Sequence, residues 1–293
     1  MDWHKLYMGM GFSVLSIFSS AQAFELPFLA EEAREQGYTL PKPYGISIGA
    51  MHVEQGIQVD SINFSGLKYP IIGTPIPDDT IDISASNGRQ KSDIYSLRAD
   101  VWLLPFLNVY AIGGKMTGYS ETKVNVNKIG EIAIPAHEGF DFRLDLDGNL
   151  YGGGLVVAGG MGNLFTLIDA SLTKTKLTAI DGEIDAFVLS PRVGYDFNDR
   201  GLPLRVWAGG MYQEVEQSLS GYIHNLSFSP ELQALINLVD KDQEGRFHVE
   251  QRLNTAWNTL VGFQYQFSPS ISVLGEAGMG RRKSAMLSLE FRI

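Results

Sequence analysis

The stretch Ala285-Met286-Leu287-Ser288-Leu289-Glu290-Phe291-Arg292-Ile293 alternates apolar with small or polar side chains up to the last residue. In a strand, successive side chains face opposite sides. Ala285, Leu287, Leu289, Phe291 and Ile293 therefore share one greasy face, with Ser288, Glu290 and Arg292 on the other. A strand that turns the greasy face outward and its charges inward fits an antiparallel β-barrel set in lipid.

The opposite end of the chain agrees. His4 and Lys5 precede an apolar stretch from Leu6 to Phe18, which stops at Ser19-Ser20-Ala21-Gln22-Ala23. A charged start, a short apolar centre and an Ala-x-Ala site predict a secretory signal cleaved after Ala23. An uncleaved membrane helix needs about 20 apolar residues, more than this stretch holds. No later segment approaches that length, so re-entry into a membrane would be by strands. With these features beside it, the final strand resembles the insertion signal of bacterial outer-membrane barrels, carried here by Leu287, Leu289, Phe291 and Ile293. That signal usually finishes on an aromatic residue. Here Phe291 supplies the aromatic and Ile293 the last position. The resemblance is to the general class and covers residues 40 to 293. It implies a Gram-negative outer-membrane location, with outer-membrane lipid, lipopolysaccharide and the barrel-assembly machinery as partners.

Removing residues 1 to 23 leaves 270 of the 293 residues, one large domain or two small ones by length. The chain carries 32 Gly, 16 Phe and 12 Tyr, the residues barrels use for bends and interface girdles. It has no Cys, which fits an exported protein that does not rely on disulfides. A net charge of -10 offers no basic excess to offset phosphates, so nucleic acid is excluded as a partner.

Four short turns organise the chain after residue 40: Leu104 to Leu107, Gly160 to Asn163, Phe197 to Pro203 and Phe267 to Ser270. Each joins two alternating segments and is rich in Gly, Pro, Asn or Ser. The intervening connections are longer and more polar, the asymmetry of periplasmic turns and extracellular loops. The expected strands run over 44–54, 92–104, 107–117, 142–160, 163–176, 184–197, 203–215, 255–267, 271–280 and 284–293. Twelve is the alternative count, because Thr122 to Ile134 and Gln217 to Phe228 alternate on their own and would extend strands or add a hairpin. Trp102, Phe106, Phe165, Tyr195, Phe197, Trp207, Phe263, Tyr265, Phe267 and Phe291 sit near the turns, as an interfacial girdle would. Residues 24–43 read as a periplasmic segment with a short helix over Phe28 to Gln36, and residues 44–293 as the barrel. A second helix is expected from Ser229 to Leu238, capping the barrel from an outer loop.

With the apolar parity toward lipid, the opposite parity is internal. That places Arg98, Asp100, Arg143, Asp145, Asp169, Arg192, Arg205, Glu276, Glu290 and Arg292 in the lumen, cations and acids in equal number. A lone charge in a confined interior is costly, so balance implies pairs bridging the lumen. Barrels of this size are nearly filled by side chains, leaving room for a thread of water or a small polar solute.

Enzyme motifs are incomplete. Ser86-Asn87-Gly88 resembles part of the outer-membrane phospholipase motif, but Ser84 stands where that family has its basic His. Asp78-Asp79 offers one carboxylate pair of the kind used by the proteases of this membrane, yet the Asp-His half is missing around His224. His52, His137 and His248 have no recognisable nucleophile partner in sequence. Asp145-Leu146-Asp147-Gly148-Asn149 resembles a calcium-loop fragment but lacks its twelfth-position Glu. No metal and no cofactor follow from these segments. Arg281-Arg282-Lys283, in the last outer loop, are candidates for contact with lipopolysaccharide phosphates, with Lys241 and Arg246 as possible additions to the patch.

The sequence therefore predicts an all-β transmembrane barrel of about ten strands. It acts either as an envelope-structural protein or as a narrow channel for a small solute. Alternatives are an enzyme of lipid or peptide at the outer mouth, and an adhesin working through loops near 55–91, 118–141 and 216–254.

Overall fold

The computed structural model describes residues 26–129, 132–133, 139–228 and 230–293. The expected signal over residues 1–23, and His137, lie outside the described residues. The strands in chain order are β1 (Tyr44–Ser65), β2 (Ile81–Ala85), β3 (Gly88–Leu104), β4 (Leu107–Ile129), β5 (Ile132–Ala133), β6 (Phe140–Asp145), β7 (Gly148–Met161) and β8 (Leu164–Leu177). They continue with β9 (Asp181–Asp196), β10 (Leu204–Tyr222), β11 (Ser227–Phe228), β12 (Arg246–Leu253), β13 (Trp257–Ser268), β14 (Ile271–Met279) and β15 (Lys283–Arg292). Two α-helices are present among the described residues, α1 (Ala30–Glu35) and α2 (Pro230–Val239).

Ten of these strands close a ring in the order β1-β3-β4-β7-β8-β9-β10-β13-β14-β15, with every neighbour antiparallel. The seam is the pairing of β1 with β15, from Gly45↔Arg292 to Glu54↔Lys283. Closure removes both sheet edges, which lipid would otherwise leave with unmet hydrogen bonds. All ten strands expected from the sequence are members of this ring, so ten rather than twelve is the count that crosses the membrane.

An outward apolar belt surrounds the ring, including Ile46, Ile48, Leu97, Leu155, Ile168, Leu172, Val193, Val261, Leu287 and Leu289, all exposed. On β8 it runs from Leu164 to Leu172. Eight steps of about 3.4 Å, tilted by about 40°, give a height of roughly 20 Å, close to a transmembrane barrel's band. Charged outward pairs begin directly above it: His52 with Asp93 at 2.7 Å, and Lys174 with Glu183 at 2.6 Å and with Asp185 at 3.3 Å.

Several strands continue far beyond the belt. β1 is 22 residues long and β4 is 23. In this extension β12 enters between β1 and β10, taking over where β13, β14 and β15 end. β6 pairs with the upper part of β4, and β2 with its end. The parity that faced inward below still faces inward here, but its chemistry is exchanged. Met116, Val124, Phe142, Leu144, Val215, Leu219, Phe247 and Val249 pack as an apolar core inside the extension. Ile236 of α2 joins that core, and the Val239 carbonyl accepts a hydrogen bond from the Lys68 amide at 2.8 Å. The extracellular end is thus filled by a core like that of a soluble β-protein.

This exchange corrects two expected lumen residues. Arg143 and Asp145 lie on β6, above the belt, where the apolar parity turns inward to the core and the charged parity faces water. Arg143 stacks outside on Tyr119, with Cζ 3.7 Å from the ring centroid, and its Nε donates to Asp145 at 3.3 Å. The expected 142–160 strand is also broken, at Leu146 and Asp147 between β6 and β7.

Candidate functional site

Below the apolar core the barrel holds a chamber of about 900 Å³ that runs from inside the belt to the turns at Pro105, Gly160 and Pro269. Its floor is the N-terminal segment, where Leu29, Glu32, Ala33, Gln36 and residues 38–42 reach the cavity. Hydrogen bonds fasten this segment to the barrel rim. The Phe28 amide donates to the Leu103 carbonyl at 2.9 Å, Arg292 Nε to the Lys42 carbonyl at 2.9 Å, and Lys42 Nζ to Ser270 Oγ at 2.7 Å.

Two tiers of charge line the chamber. In the lower one, Arg292 Nη1 reaches Asp100 Oδ1 at 3.1 Å and also pairs with Glu290, which accepts from Gln264 and Ser272 at 3.0 Å each. Arg205 Nε donates to Asp196 at 2.7 Å, and Asn108 bridges Asp100 (3.3 Å) and Arg98 (3.1 Å). In the upper tier, Arg192 makes two bonds to Glu276, from Nε at 2.7 Å and Nη2 at 3.1 Å. Trp207 Nε1 donates to the same carboxylate at 2.9 Å. Asp169 lies 3.9 Å from Arg192 Nη1 and accepts from Tyr110 Oη at 2.7 Å. Arg98 joins the tiers, its Cζ 3.7 Å above the Tyr110 ring.

Glycines allow these side chains to meet across an intervening strand. Gly45 on β1 separates Asp100 on β3 from Arg292 on β15, and a Cβ there would lie 2.4 Å from Asp100 Oδ2 and 2.7 Å from Arg292 Nη1. Gly262 on β13 stands likewise between Trp207 and Glu276, with a Cβ 2.6 Å from Trp207 Nε1. Gly154 on β7 lets Tyr110 pass to Asp169 on β8. A side chain at any of the three would occupy the path of the bond.

The roof is a layer of buried amides. Gln217 donates to Gln90 and Gln251 to Gln217, each at 2.8 Å, while Ser120 donates to Gln251 at 3.2 Å. Arg282 also turns inward here. It is 3% exposed and donates from Nη2 to the Met211 carbonyl at 3.5 Å and from Nη1 to Gln213 Oε1 at 2.5 Å. That placement takes Arg282 out of reach of lipopolysaccharide, because the turn between β14 and β15 sends the middle residue of the basic triplet beneath the rim. Arg281 and Lys283 remain exposed.

Of the ten expected lumen charges, eight line the chamber: Arg98, Asp100, Asp169, Arg192, Arg205, Glu276, Glu290 and Arg292. Trp102, Phe165 and Trp207, expected in the interfacial girdle, line the chamber instead, and sequence reasoning missed Asn108, Tyr110, Asp196 and Gln264. Their inward parity was readable, but nothing in the sequence marked them as partners.

The enzyme candidates remain apart. Ser86 Oγ accepts from the Lys123 amide at 3.3 Å in a strand connection, and His224 contacts the Gln243 carbonyl at 3.1 Å. One arrangement was not visible in sequence: Ser220 Oγ lies 2.8 Å from His248 Nδ1, and His248 Nε2 lies 3.5 Å from Glu250. It occupies the open outer face of the extension. Ser220 is laddered on both sides, to Asp181 and His248, so the flanking amides are committed and offer no oxyanion hole. The Asp145–Asn149 segment forms the bend from β6 to β7. Among the described residues no cluster of three His, Cys, Asp or Glu can hold a metal ion.

No family model and no curated protein matches the chain. Solved structures do. The outer membrane protein OprG of Pseudomonas aeruginosa is 11% identical over 87% of this chain and 99% of its own, with a TM-score of 0.38. The toluene transporter TbuX of Ralstonia pickettii is 11% identical over 87% and 90%, with a TM-score of 0.36. The outer membrane protein Omp33 of Acinetobacter baumannii is 11% identical over 87% and 100%, at 0.28. With scores this low, the fold rests on the pairing and burial described above. A closed antiparallel ring with an apolar belt outside and hydrogen-bonded charges inside is an outer-membrane β-barrel, located in the outer membrane of a Gram-negative cell.

Proposed function

We propose that the protein is a non-enzymatic, narrow channel that admits a small solute to its intramembrane chamber. The observation that carries this reading is the cavity of about 900 Å³ inside the barrel, lined by charges most of which are paired with one another. That volume falls in the range of small-molecule sites. Its mixed lining, from Met51, Ile112 and Met286 to Arg98 and Ser96, suits a solute with one polar end and an apolar body.

Residues 1–23 export the chain, and Leu287, Leu289, Phe291 and Ile293 present the final strand to the assembly machinery. Arg281 and Lys283 contact lipopolysaccharide phosphates. The packed apolar core over the chamber supports a second reading, a closed barrel whose role is envelope-structural.

Liposome swelling and single-channel recording on the refolded protein separate the two. Uptake of small solutes with small, intermittent openings is expected of the channel. No uptake of any small solute would leave the structural role, and large steady openings would refute a closed, narrow lumen.

A further inference from the structure

Four Arg, Lys42 and six acids line the chamber, and their pairing is uneven. Asp100 is held by Arg292 and Asn108, Glu290 by Arg292, Gln264 and Ser272, and Asp196 by Arg205 and Asn198. Glu276 is held by Arg192 and Trp207, and Asp169 by Tyr110 with Arg192 nearby. Arg98 alone of the four Arg has no carboxylate within ion-pair distance among the described residues; Lys42, in the floor, is engaged by the Ser270 hydroxyl at the rim. Its one hydrogen bond is from Nη2 to the neutral Asn108, and one face of its guanidinium is covered by Tyr110.

We infer that Arg98 anchors a binding site in the chamber for a small monocarboxylate with an apolar body. This rests on the chamber being a solute compartment. A guanidinium in a confined, low-dielectric space is costly without a counter-charge. The protein supplies one to Arg192, Arg205 and Arg292 but not to Arg98, so the fourth comes with the solute. Stacking on Tyr110 fixes the plane of the group, and the planar fork of N–H donors matches a carboxylate's two oxygens. One anchor selects one negative charge. Arg282, the other inward Arg without an acid partner, is 3% exposed and absent from the chamber wall, so it cannot serve a second. The apolar body is set by what stands beside the anchor: Ile112, the cross-strand neighbour of Arg98, with Met51 and Met286 on the same wall.

The test uses intrinsic fluorescence of the refolded full-length barrel. Trp102 and Trp207 line the chamber and report its occupancy. Benzoate is the probe, with benzamide and benzylamine as neutral and cationic controls of the same shape. In the wild type, benzoate should give the tightest saturable change. Arg98→Gln should weaken benzoate at least tenfold and leave benzamide nearly unchanged, and Arg98→Lys should fall between. Arg143→Gln, which removes a guanidinium stacked in the same way but outside the barrel, should change nothing. Heat-modifiable mobility confirms that each variant is folded. Equal benzoate affinity in wild type and Arg98→Gln, or equal losses for benzoate and benzamide, would overturn the assignment and leave the chamber standing. No response to any of the three probes, together with no uptake in swelling assays, would remove the chamber reading and this one with it.

Discussion

Replacing Glu276 with Ala removes the acceptor for three donors at once, two from Arg192 and one from Trp207. The pair is largely buried, with side chains 6% exposed for Glu276 and 12% for Arg192, so little water reaches the severed donors. What remains for Arg192 is Asp169 at 3.9 Å, a weak substitute for two direct bonds. Breaking a buried pair by removing one member costs about 3–5 kcal/mol, a large share of a total near 5–15 kcal/mol. With a denaturant slope of about 2 kcal/mol per M, the urea midpoint should fall by roughly 2 M. The assay is urea unfolding in detergent followed by Trp emission, with unboiled gel mobility to confirm that the starting state is the barrel. Arg192→Met with Glu276→Leu should cost less than Glu276→Ala alone, because no isolated charge is left behind. A loss below about 1 kcal/mol for the single variant, or a double variant weaker than the single, would refute the two-tier account.

Three further expectations come from other parts of the molecule. Leu219→Ala, at a fully buried position in the extracellular core, should cost about 2–5 kcal/mol in the same unfolding assay; a change under 1 kcal/mol would mean that the core over the chamber is not close-packed. Leu289→Arg places a cation on the lipid face and should cost about 2–4 kcal/mol, abolishing the fast unboiled band; full dodecyl sulfate resistance would contradict the belt. The Lys68 ammonium donates to Asp242, holding that carboxyl below its usual 3.8 and raising the Lys68 amine above 10.5. The Asp242 contribution is therefore present above pH 3.8 and lost as pH falls through its lowered value, while the Lys68 contribution is lost as pH rises through its raised value. Pepsin cleavage within 66–80 should rise more steeply on acidification in the wild type than in Lys68→Met, and identical profiles would show that the pair does not hold the loop.

The ring was legible because each of its strands carries an alternation that only a lipid-facing exterior explains, and β15 states it most clearly from Ala285 to Ile293. The misreading of Arg143 and Asp145 comes from the same rule applied above its range. Alternation says which residues share a face. It does not say whether that face meets lipid, water or other side chains. Phe142 and Leu144 have the same pattern as Leu287 and Leu289, yet one pair is buried and the other exposed. The medium is decided by height along the barrel, and height becomes readable only where the outward parity turns charged, at His52, Asp93, Lys174 and Asp185. The partners across the lumen were illegible for a different reason. Asp100 meets Arg292, and Trp207 meets Glu276, across a strand contributing only glycine at that level. Finding them requires the register of three strands at once.

The exchange of chemistry along β1 also bears on how anything could pass. Below His52 the inward residues are Ser47, Gly49 and Met51; above it they are Val53, Gln55 and Ile57, followed past the bulge at Asp60 by Ile62 and Phe64. A lumen closed only by charge pairs could be opened by exchanging partners among them, since each tier has spare donors and acceptors. The apolar core cannot open in that way, because moving it brings Leu219, Phe247 and Val249 into water at about 1.5–3 kcal/mol per side chain. Between the two lies the bonded Gln90-Gln217-Gln251 layer, whose amides lose their partners if either neighbour shifts. The chamber's access toward the periplasm, by contrast, is covered by a segment held by a few hydrogen bonds and a six-residue helix. The energetic asymmetry makes the periplasmic side the easier one to open and the extracellular core the slow step. Loosening the core with Leu219→Ala should therefore increase solute flux more than loosening the floor with Lys42→Ala does. The reverse order in a swelling assay would place the barrier at the N-terminal segment instead.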